Sequence, residues 1–407
     1  MKEEKRMENL DKIFNSFTSN NFFKNKSVLQ SNYSPETIPH RNEQVEAVAS
    51  ILAPSLRGEK ASNLFVYGKT GTGKTLSVQY VGNKIKERVD EMGKDYLKII
   101  YLNCKLKKVA DTEYRILAEL IHELGGSVPA TGLPTDQVYN KFVELIDSKK
   151  QIILIILDEI DQAVEKISDG FLYNLTRLNS GLKNAQITLV GISNSLTFMD
   201  NIDPRVRSSL GEEEIVFPPY NALQLQDILH ERANSAFGEK ALDEGVIAKC
   251  AAFAAREHGD ARRALDLLRV AGELAEREGS KKVSLKHIDT ANEKIERDKM
   301  LYVIENEPKQ FQLVLKAITE LDGNTEEGGI FTGDVYNKYE EVCGKTGNDV
   351  LTQRRVSDIL AEFDMLGIIN TRVISKGRQG RTREIKLMLA PNIKVKAQEI
   401  LNKALDL

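Results

Sequence analysis

The sequence predicts an α/β fold: a parallel sheet with helices on both faces built around a P-loop, then a small all-α domain and a C-terminal winged-helix domain. Three observations carry this expectation. Short runs that are apolar on both faces alternate with helical stretches in the first half, the mark of a parallel sheet covered on both sides. A phosphate-binding pattern, Gly68 to Thr75, follows the first of these runs and opens a helix. Beyond residue 222 the periodicity is helical until two alternating runs joined by KGRQGR close the pattern as a β-hairpin.

Taken in order, residues 1–40 are polar, with Asn and Ser clusters from Asn20 to Asn32, and read as an N-terminal arm with at most one helix. Val45, Val48, Ala49, Leu52 and Leu56 keep helical spacing, and Pro54 kinks that helix or ends it early. Strand NLFVY, loop GKTGTGKT and helix LSVQYVGNKIKERV follow, then strand LKIIYLNC at 97–104. TEYRILAELIHELGG is a helix closed by a glycine pair. QVYNKFVELIDS is helical, QIILIILDEID is a continuous apolar strand ending in acids, FLYNLTRLNSGL is helical and QITLVGISNS is a strand. The proline pair of FPPYN punctuates the chain at 217–221. Four helical stretches from Leu223 to about Arg297 form the all-α domain, and three helices with the hairpin form the last. The expected boundaries are 1–40 for the arm, 41–217 for the nucleotide-binding domain, 218–297 for the helical domain and 298–407 for the winged helix.

The 407 residues, 41 % hydrophobic and 29 % charged, suit several folded domains and are too apolar for a disordered chain. The longest apolar runs, Ile152 to Leu157 and Cys250 to Ala255, fall far short of the ~20 residues a membrane helix needs. The opening MKEEKRMENLDKIF has no apolar core of a secretory signal. Cys104, Cys250 and Cys343 are odd in number and far apart, and the five histidines are equally scattered, which excludes a disulfide scaffold and argues against a Cys- or His-based metal site. A cytoplasmic protein without a membrane partner is expected. The net charge of -3 hides an asymmetry: residues 370–390 carry six bases against Glu384, so that segment is +5 and the remainder -8. A local basic patch of this kind is a partner signal.

Gly68, Lys69, Thr70, Gly71, Thr72, Gly73, Lys74 and Thr75 complete the P-loop pattern. The glycines let backbone N–H groups converge on phosphate oxygens, and the following helix adds its positive dipole end. Lys74 is expected on the β- and γ-phosphates of ATP or ADP, and the Thr75 hydroxyl on Mg²⁺. Asp158 and Glu159 end the apolar strand. A carboxylate there can hold the Mg²⁺ shell, and its neighbour can orient the attacking water. The alternative is a helix cap with first-turn acids, and Asp161 suits either capping or catalysis.

GKTGTGKT, LDEID, ITLVGISNS and HGDARRALDLLR, in this order, resemble Walker A, Walker B, sensor 1 and sensor 2 of AAA+ ATPases over about residues 40–295. The resemblance implies that Asn194 is sensor 1 and Arg262 is sensor 2, with Arg263 as the neighbouring option. The segment IDPRVRSSLG sits where that family keeps an arginine finger acting in trans. Many relatives have Ser-Arg before the Leu. This chain has Ser208-Ser209, which leaves Arg205 and Arg207 as candidates and a plain surface loop as the alternative.

The AAA+ core, helical lid and winged helix together resemble the archaeal origin-recognition initiators, relatives of the eukaryotic origin recognition complex and its helicase-loading cofactor. IPHRNEQ before the core and DPRVRSSLGEEEIVFPPYN after it match as well. The resemblance implies slow ATP hydrolysis, binding of double-stranded origin DNA, recruitment of the replicative helicase, paralogous initiators as further partners and a nucleoid location. In a winged helix the third helix enters the major groove and the wing tip lies along the backbone or in the minor groove. That helix, 350–367, opens with Thr352, Gln353, Arg354 and Arg355, then Ser357. The wing carries Lys376, Arg378, Gln379, Arg381 and Arg383, with Gly377 and Gly380 for the turn. A solvated hairpin or a protein-binding winged helix are the alternatives. The family's DNA-touching insertion is placed just after strand 97–104, at Lys105, Lys107 and Lys108, residues that equally suit a solvated loop. Two other functions compete. A clamp-loader-type motor would need a helical collar after the lid. A DNA-binding regulator with nucleotide as a structural ligand would not need Glu159 and Asn194.

Overall fold

The sheet of the first unit has five parallel strands: β1 (Leu64–Tyr67), β2 (Leu97–Asn103), β3 (Gln151–Asp158), β4 (Ala185–Ser193) and β5 (Glu213–Val216), in the order β2-β3-β4-β1-β5. This computed structural model describes residues 22–30, 33–105, 112–129, 131–322, 329–375 and 381–407. The chain divides into two compact units, Met1–Ile288 and Asp289–Leu407.

Strand β3 is buried at every position, and its pleat explains why it is apolar throughout. Ile153, Ile155 and Leu157 feed one core, with α3 (Glu113–Glu123), α4 (Thr135–Ile146), α5 (Ile160–Ile167), α6 (Gly170–Arg177) and α7 (Pro204–Leu210). Ile152, Leu154 and Ile156 feed the other, with α1 (Asn42–Leu52) and α2 (Lys74–Glu91). Alternate side chains point to opposite faces, so one strand serves two cores. Helix α1 stops at Leu52, and Pro54 falls in the first turn of a short 3₁₀ helix, Ala53–Arg57, closed by Gly58 at φ 73. Thr112 caps α3 by accepting from the Arg115 N–H, and Asp203 caps α7 ahead of Pro204.

The helical part of this unit comprises α8 (Ala222–Ala236), α9 (Val246–Arg256) and α10 (Ala261–Arg277). An Asn221/Gln224 capping box starts α8. The described part of the N-terminal segment packs on these helices. Phe22 and Phe23 lie 5.8 and 4.7 Å from the Phe237 ring, the Lys24 N–H donates to the Ala236 carbonyl, and Lys26 pairs with Glu273 at 2.8 Å.

The unit boundary falls inside α11 (Leu285–Asn306). The second unit continues with α12 (Lys309–Leu321), β6 (Ile330–Phe331), α13 (Thr332–Thr346), α14 (Gln353–Met365), β7 (Ile369–Ser375), β8 (Arg381–Leu387) and α15 (Pro391–Leu405). Its antiparallel sheet runs β6-β8-β7 around a core that includes Leu313, Tyr339, Leu360, Phe363 and Ile385. Sequence periodicity missed β5, α5, α7, β6 and α15. In β5 only Ile215 is buried, so no apolar run marks it. Among the described residues no helix is long and apolar enough to cross a membrane.

Ile155 is fully buried. Ile155→Ala is expected to cost about 3 kcal/mol through lost contacts and an unfilled cavity. In a unit of this size that lowers the melting midpoint by roughly 6–12 °C. Lys98→Ala, at an exposed position of the same sheet, should leave the thermal melt almost unchanged.

Candidate nucleotide site and DNA-facing surface

The C-terminal ends of β1, β3 and β4 lie side by side because parallel strands share a direction, and the candidate site gathers there. The loop from Gly68 joins β1 to α2. Gly71 (φ 68) and Gly73 (φ 88) hold it in left-handed conformations. A Cβ at Gly71 would fall 1.7 Å from the Asp260 carboxylate, so only glycine allows this approach. Lys74 is 5 % exposed. Its Nζ donates to the Gly68 and Lys69 carbonyls and to Asn194 Oδ1 at 2.7, 2.8 and 2.9 Å. All three acceptors are neutral. Burial pulls the Lys74 pKa down to about 8, against the opposing pull of Asp158, and the Arg262 charge adds to the depression. A glycine cradle around a cation with only neutral partners fits a phosphate anion.

Asp158 is nearly buried. Its Oδ2 accepts from Thr75 Oγ1 at 2.8 Å and from the Tyr101 hydroxyl at 2.6 Å, and its Oδ1 accepts from the Glu159 N–H. This hydroxyl–carboxylate pair is the donor set a hard divalent cation such as Mg²⁺ takes. Burial and the Asp158 contact push the Tyr101 phenol well above its usual range. Glu159 sits at φ 53, a left-handed conformation that costs energy outside glycine and turns the chain from β3 into α5. It makes no capping bond to α5; its carboxylate instead lies 3.5 Å from Lys105 Nζ. Asp161 does not cap either. Its Oδ1 accepts from Ser193 Oγ at 2.9 Å and from the Asn194 N–H at 3.4 Å, fixing the end of β4.

Helix α10 docks on the same loop. Its cap Asp260 accepts from the Arg262 and Arg263 N–H groups and from Thr70 Oγ1, and the Ala261 N–H donates to the Gly71 carbonyl. Arg262 lines the cleft. Arg263 turns away and pairs with Glu257 at 3.1 Å. Arg205 and Arg207 do not line this cleft. Both are exposed, Arg205 held by Asp203 over the Tyr173 ring and Arg207 3.4 Å from Asp200.

Sequence motifs alone missed several residues here. Arg41 is fully buried and donates to the Thr72, His40 and Pro218 carbonyls, with the Tyr220 ring 3.7 Å away. It ties the P-loop to the chain entering α8. Its only signal was IPHRNEQ, quoted for resemblance. Tyr101 is missed because nothing in an alternating strand marks a carboxylate partner. Tyr33, Ile38, Ile228, Arg232 and Leu265 are further residues that line the cleft.

In the second unit Thr352 caps α14, which therefore begins at Gln353 rather than 350. Gln353, Arg354 and Arg355 are exposed, with Arg355 3.8 Å from Asp358. Ser357 is half-buried, and its carbonyl accepts from Arg383 Nη1 at 3.4 Å, so Arg383 braces β8 on α14. Arg372 and Lys386 are exposed on the hairpin. Lys107, Lys108, Lys376, Arg378, Gln379 and the Arg381 side chain lie outside the described residues.

Family models agree with this geometry. An AAA domain matches residues 57–199, a Cdc6 AAA+ ATPase-type lid domain 226–293, and a CDC6 C-terminal winged helix domain 302–397. The ORC1-type DNA replication protein of Thermococcus onnurineus is 52 % identical over 94 % of this chain and 92 % of its own length. The chain belongs to the ORC1-type DNA replication protein family. A Methanosarcina mazei member, ORC1-type DNA replication protein 1, is 50 % identical over 93 % of the chain and 91 % of its own. Among solved structures of the family, Aeropyrum pernix ORC1 in complex with DNA superposes with a TM-score of 0.82 at 42 % identity, covering 94 % of this chain and 97 % of that one. Aeropyrum pernix ORC2, in its ADPNP–ADP complexes, shares the fold at 21 % identity, with a TM-score of 0.58 over 95 % and 98 %. The family places an AAA+ ATPase core and Cdc6-type lid in the first unit and a winged helix in the second.

The depressed Lys74 pKa gives a pH signature. Phosphate favours the ammonium form, so between pH 8 and the ordinary lysine range binding must take up a proton. Nucleotide affinity should fall as pH rises through about 8. Calorimetry at pH 9 in buffers of different ionisation enthalpy should read proton uptake, and at pH 7 almost none. Equal uptake at both values would contradict the assignment.

Proposed function

We propose that this chain is an ATP-binding DNA replication initiator that recognises double-stranded origin DNA, helps to recruit the replicative helicase and hydrolyses ATP slowly. The observation that carries this reading is the likeness to Aeropyrum pernix ORC1, solved with DNA, which extends over both units at 42 % identity. Paralogous initiators are further partners, and the working place is the cytoplasm, on the nucleoid. The domains are 41–217, 218–297 and 298–407, after an arm at 1–40.

At the nucleotide, backbone N–H groups from Gly68 to Thr75 cradle the phosphates, and Lys74 exchanges neutral acceptors for phosphate oxygens. Thr75 and Asp158, already hydrogen-bonded to each other, hold Mg²⁺. When bound, the metal neutralises charge on the β- and γ-oxygens. Glu159 orients the attacking water. Asn194, held by Asp161 through its backbone, positions that water from the end of the neighbouring strand β4. Arg262 brings a cation from the lid toward the γ-phosphate. Arg205 or Arg207, exposed on α7, supplies a cation in trans to a neighbouring subunit.

On DNA, the exposed start of α14 presents Thr352, Gln353, Arg354 and Arg355 to the major groove, with Ser357 behind them. Lys376, Arg378, Gln379, Arg381 and Arg383 belong to the wing. Lys105, Lys107 and Lys108 give the ATPase domain a second contact, which raises affinity through effective concentration.

Lys74→Ala should abolish nucleotide binding, whereas Glu159→Gln should keep binding and lose single-turnover hydrolysis about 10²-fold or more. Equal loss of binding in both variants would remove Glu159 from the water-orienting role. For DNA, Arg354→Ala should lower affinity. A phosphate contact shows as a uniform loss across sequences and a salt slope reduced by about 0.9, and a base contact as lost discrimination at one position. The Lys105/Lys107/Lys108→Ala variant should shorten the footprint of the full chain. An unshortened footprint would leave the winged helix as the sole DNA contact.

A further inference from the structure

The buried Asp158 carboxylate takes its hydrogen bonds from three neutral donors. The Thr75 and Tyr101 hydroxyls donate to Oδ2 at 2.8 and 2.6 Å, and the Glu159 N–H donates to Oδ1 at 2.9 Å. The backbone beneath them is fixed. Tyr101 pairs with Ile156 and Asn103 with Asp158 across two neighbouring parallel strands, so Tyr101 stands one diagonal step from Asp158 on the same face of the sheet. The Cys104 N–H donates to the Asp158 carbonyl at 2.8 Å and extends the ladder past its last pair. The half-buried Tyr101 ring packs on the core shared by the sheet and α2. What stays adjustable is the rotation of the carboxylate itself, a terminal torsion with a broad profile. Hydrogen bonds have to set it.

The three donors differ in what a metal site asks of them. The Thr75 hydroxyl is itself a proposed ligand. The Glu159 N–H follows Asp158 directly in the chain, in the left-handed turn into α5. The Tyr101 hydroxyl comes from a separate strand and is not a ligand, so it is free to brace Oδ2 from outside. Groups that orient a metal ligand are typically worth about 10–100-fold in metal affinity. The need for such a brace depends on the ion: Mg²⁺ requires near-ideal octahedral geometry, whereas Ca²⁺ accepts flexible, irregular coordination. A hydroxyl that merely satisfies a buried carboxylate would make no such distinction.

We propose that Tyr101 is a positioning residue for the metal: its hydroxyl holds the Asp158 carboxylate in the orientation Mg²⁺ needs and so favours Mg²⁺ over larger divalent ions. This rests on the reading of Thr75 and Asp158 as the Mg²⁺ site and adds the residue that makes that site selective.

Calorimetric titration of the ADP-loaded full chain with Mg²⁺, and separately with Ca²⁺, tests this on the wild type, Tyr101→Phe and Asp158→Asn, with ADP binding in EDTA measured beside them. Phenylalanine keeps the ring and its packing and removes only the hydroxyl. Tyr101→Phe should lose Mg²⁺ affinity about tenfold, lose clearly less Ca²⁺ affinity, and bind ADP in EDTA as the wild type does. Asp158→Asn should lose more Mg²⁺ affinity than Tyr101→Phe. Wild-type Mg²⁺ affinity in Tyr101→Phe, beside a weakened Asp158→Asn, leaves the metal site standing and overturns this inference alone. Equal losses of Mg²⁺ and Ca²⁺ in Tyr101→Phe overturn it too, because bracing for octahedral geometry is then not what the hydroxyl does. A Tyr101→Phe chain that loses ADP in EDTA shows a structural role and likewise overturns it. Unchanged Mg²⁺ affinity in Asp158→Asn brings down the metal-site reading, and this inference with it.

Discussion

A buried cation hydrogen-bonded to neutral oxygens governs the first unit. The Lys74 ammonium is nearly out of water and held by three neutral oxygens. Removing a charge from water is expensive unless something replaces the lost hydration. Two of the replacing oxygens come from the loop after β1 and the third from the residue after β4, so the strand order that seats β1 beside β4 is what makes the position tolerable. Arg41 repeats the arrangement on the other side of Gly73, with carbonyls and an aromatic face in place of an acid. The carboxylates that do stand at the strand ends are engaged elsewhere, Asp158 with two hydroxyls and Asp161 with the start of the Asn194 segment.

Much of this was legible in the sequence because the chemistry is local. The P-loop spacing, the apolar strand ending in Asp158-Glu159 and the Asn194 segment are each contiguous, and the geometry joins Lys74 to Asn194 and Thr75 to Asp158. The parallel sheet was legible for the same reason: β3 is apolar on both faces, and only burial on both faces calls for that. What escaped depends on long-range contact. Tyr101 and Arg232 are ordinary residues of a strand and a helix until folding sets one against Asp158 and the other over Tyr33. Strand β5 escaped because it is an edge with a single buried residue. Asp161 contacts Ser193, 32 residues away, and the Asn194 N–H, interactions that no spacing rule could reveal.

The charge asymmetry also takes on structural detail. Residues 370–390 looked uniformly basic in sequence. In the fold, Arg383 is half-buried and spent on the Ser357 carbonyl, while Arg372 and Lys386 remain exposed. A count of basic residues therefore overstates the number of charges free to meet a phosphate. Lys105 makes the same point in the first unit, where its ammonium lies against Glu159.

Strand β3 sets a rule for how this chain can change. Its odd-numbered isoleucines and leucine belong to one core and its even-numbered ones to the other. Substitutions are felt on a single side of the sheet. An inserted or deleted residue is felt on both, because the pleat inverts and every later side chain crosses to the opposite layer. The same slip would carry Asp158 and Glu159 out of step with Thr75 and β4. Length variation in this protein is thus confined to the connections, while β3 drifts only by exchange of one apolar side chain for another.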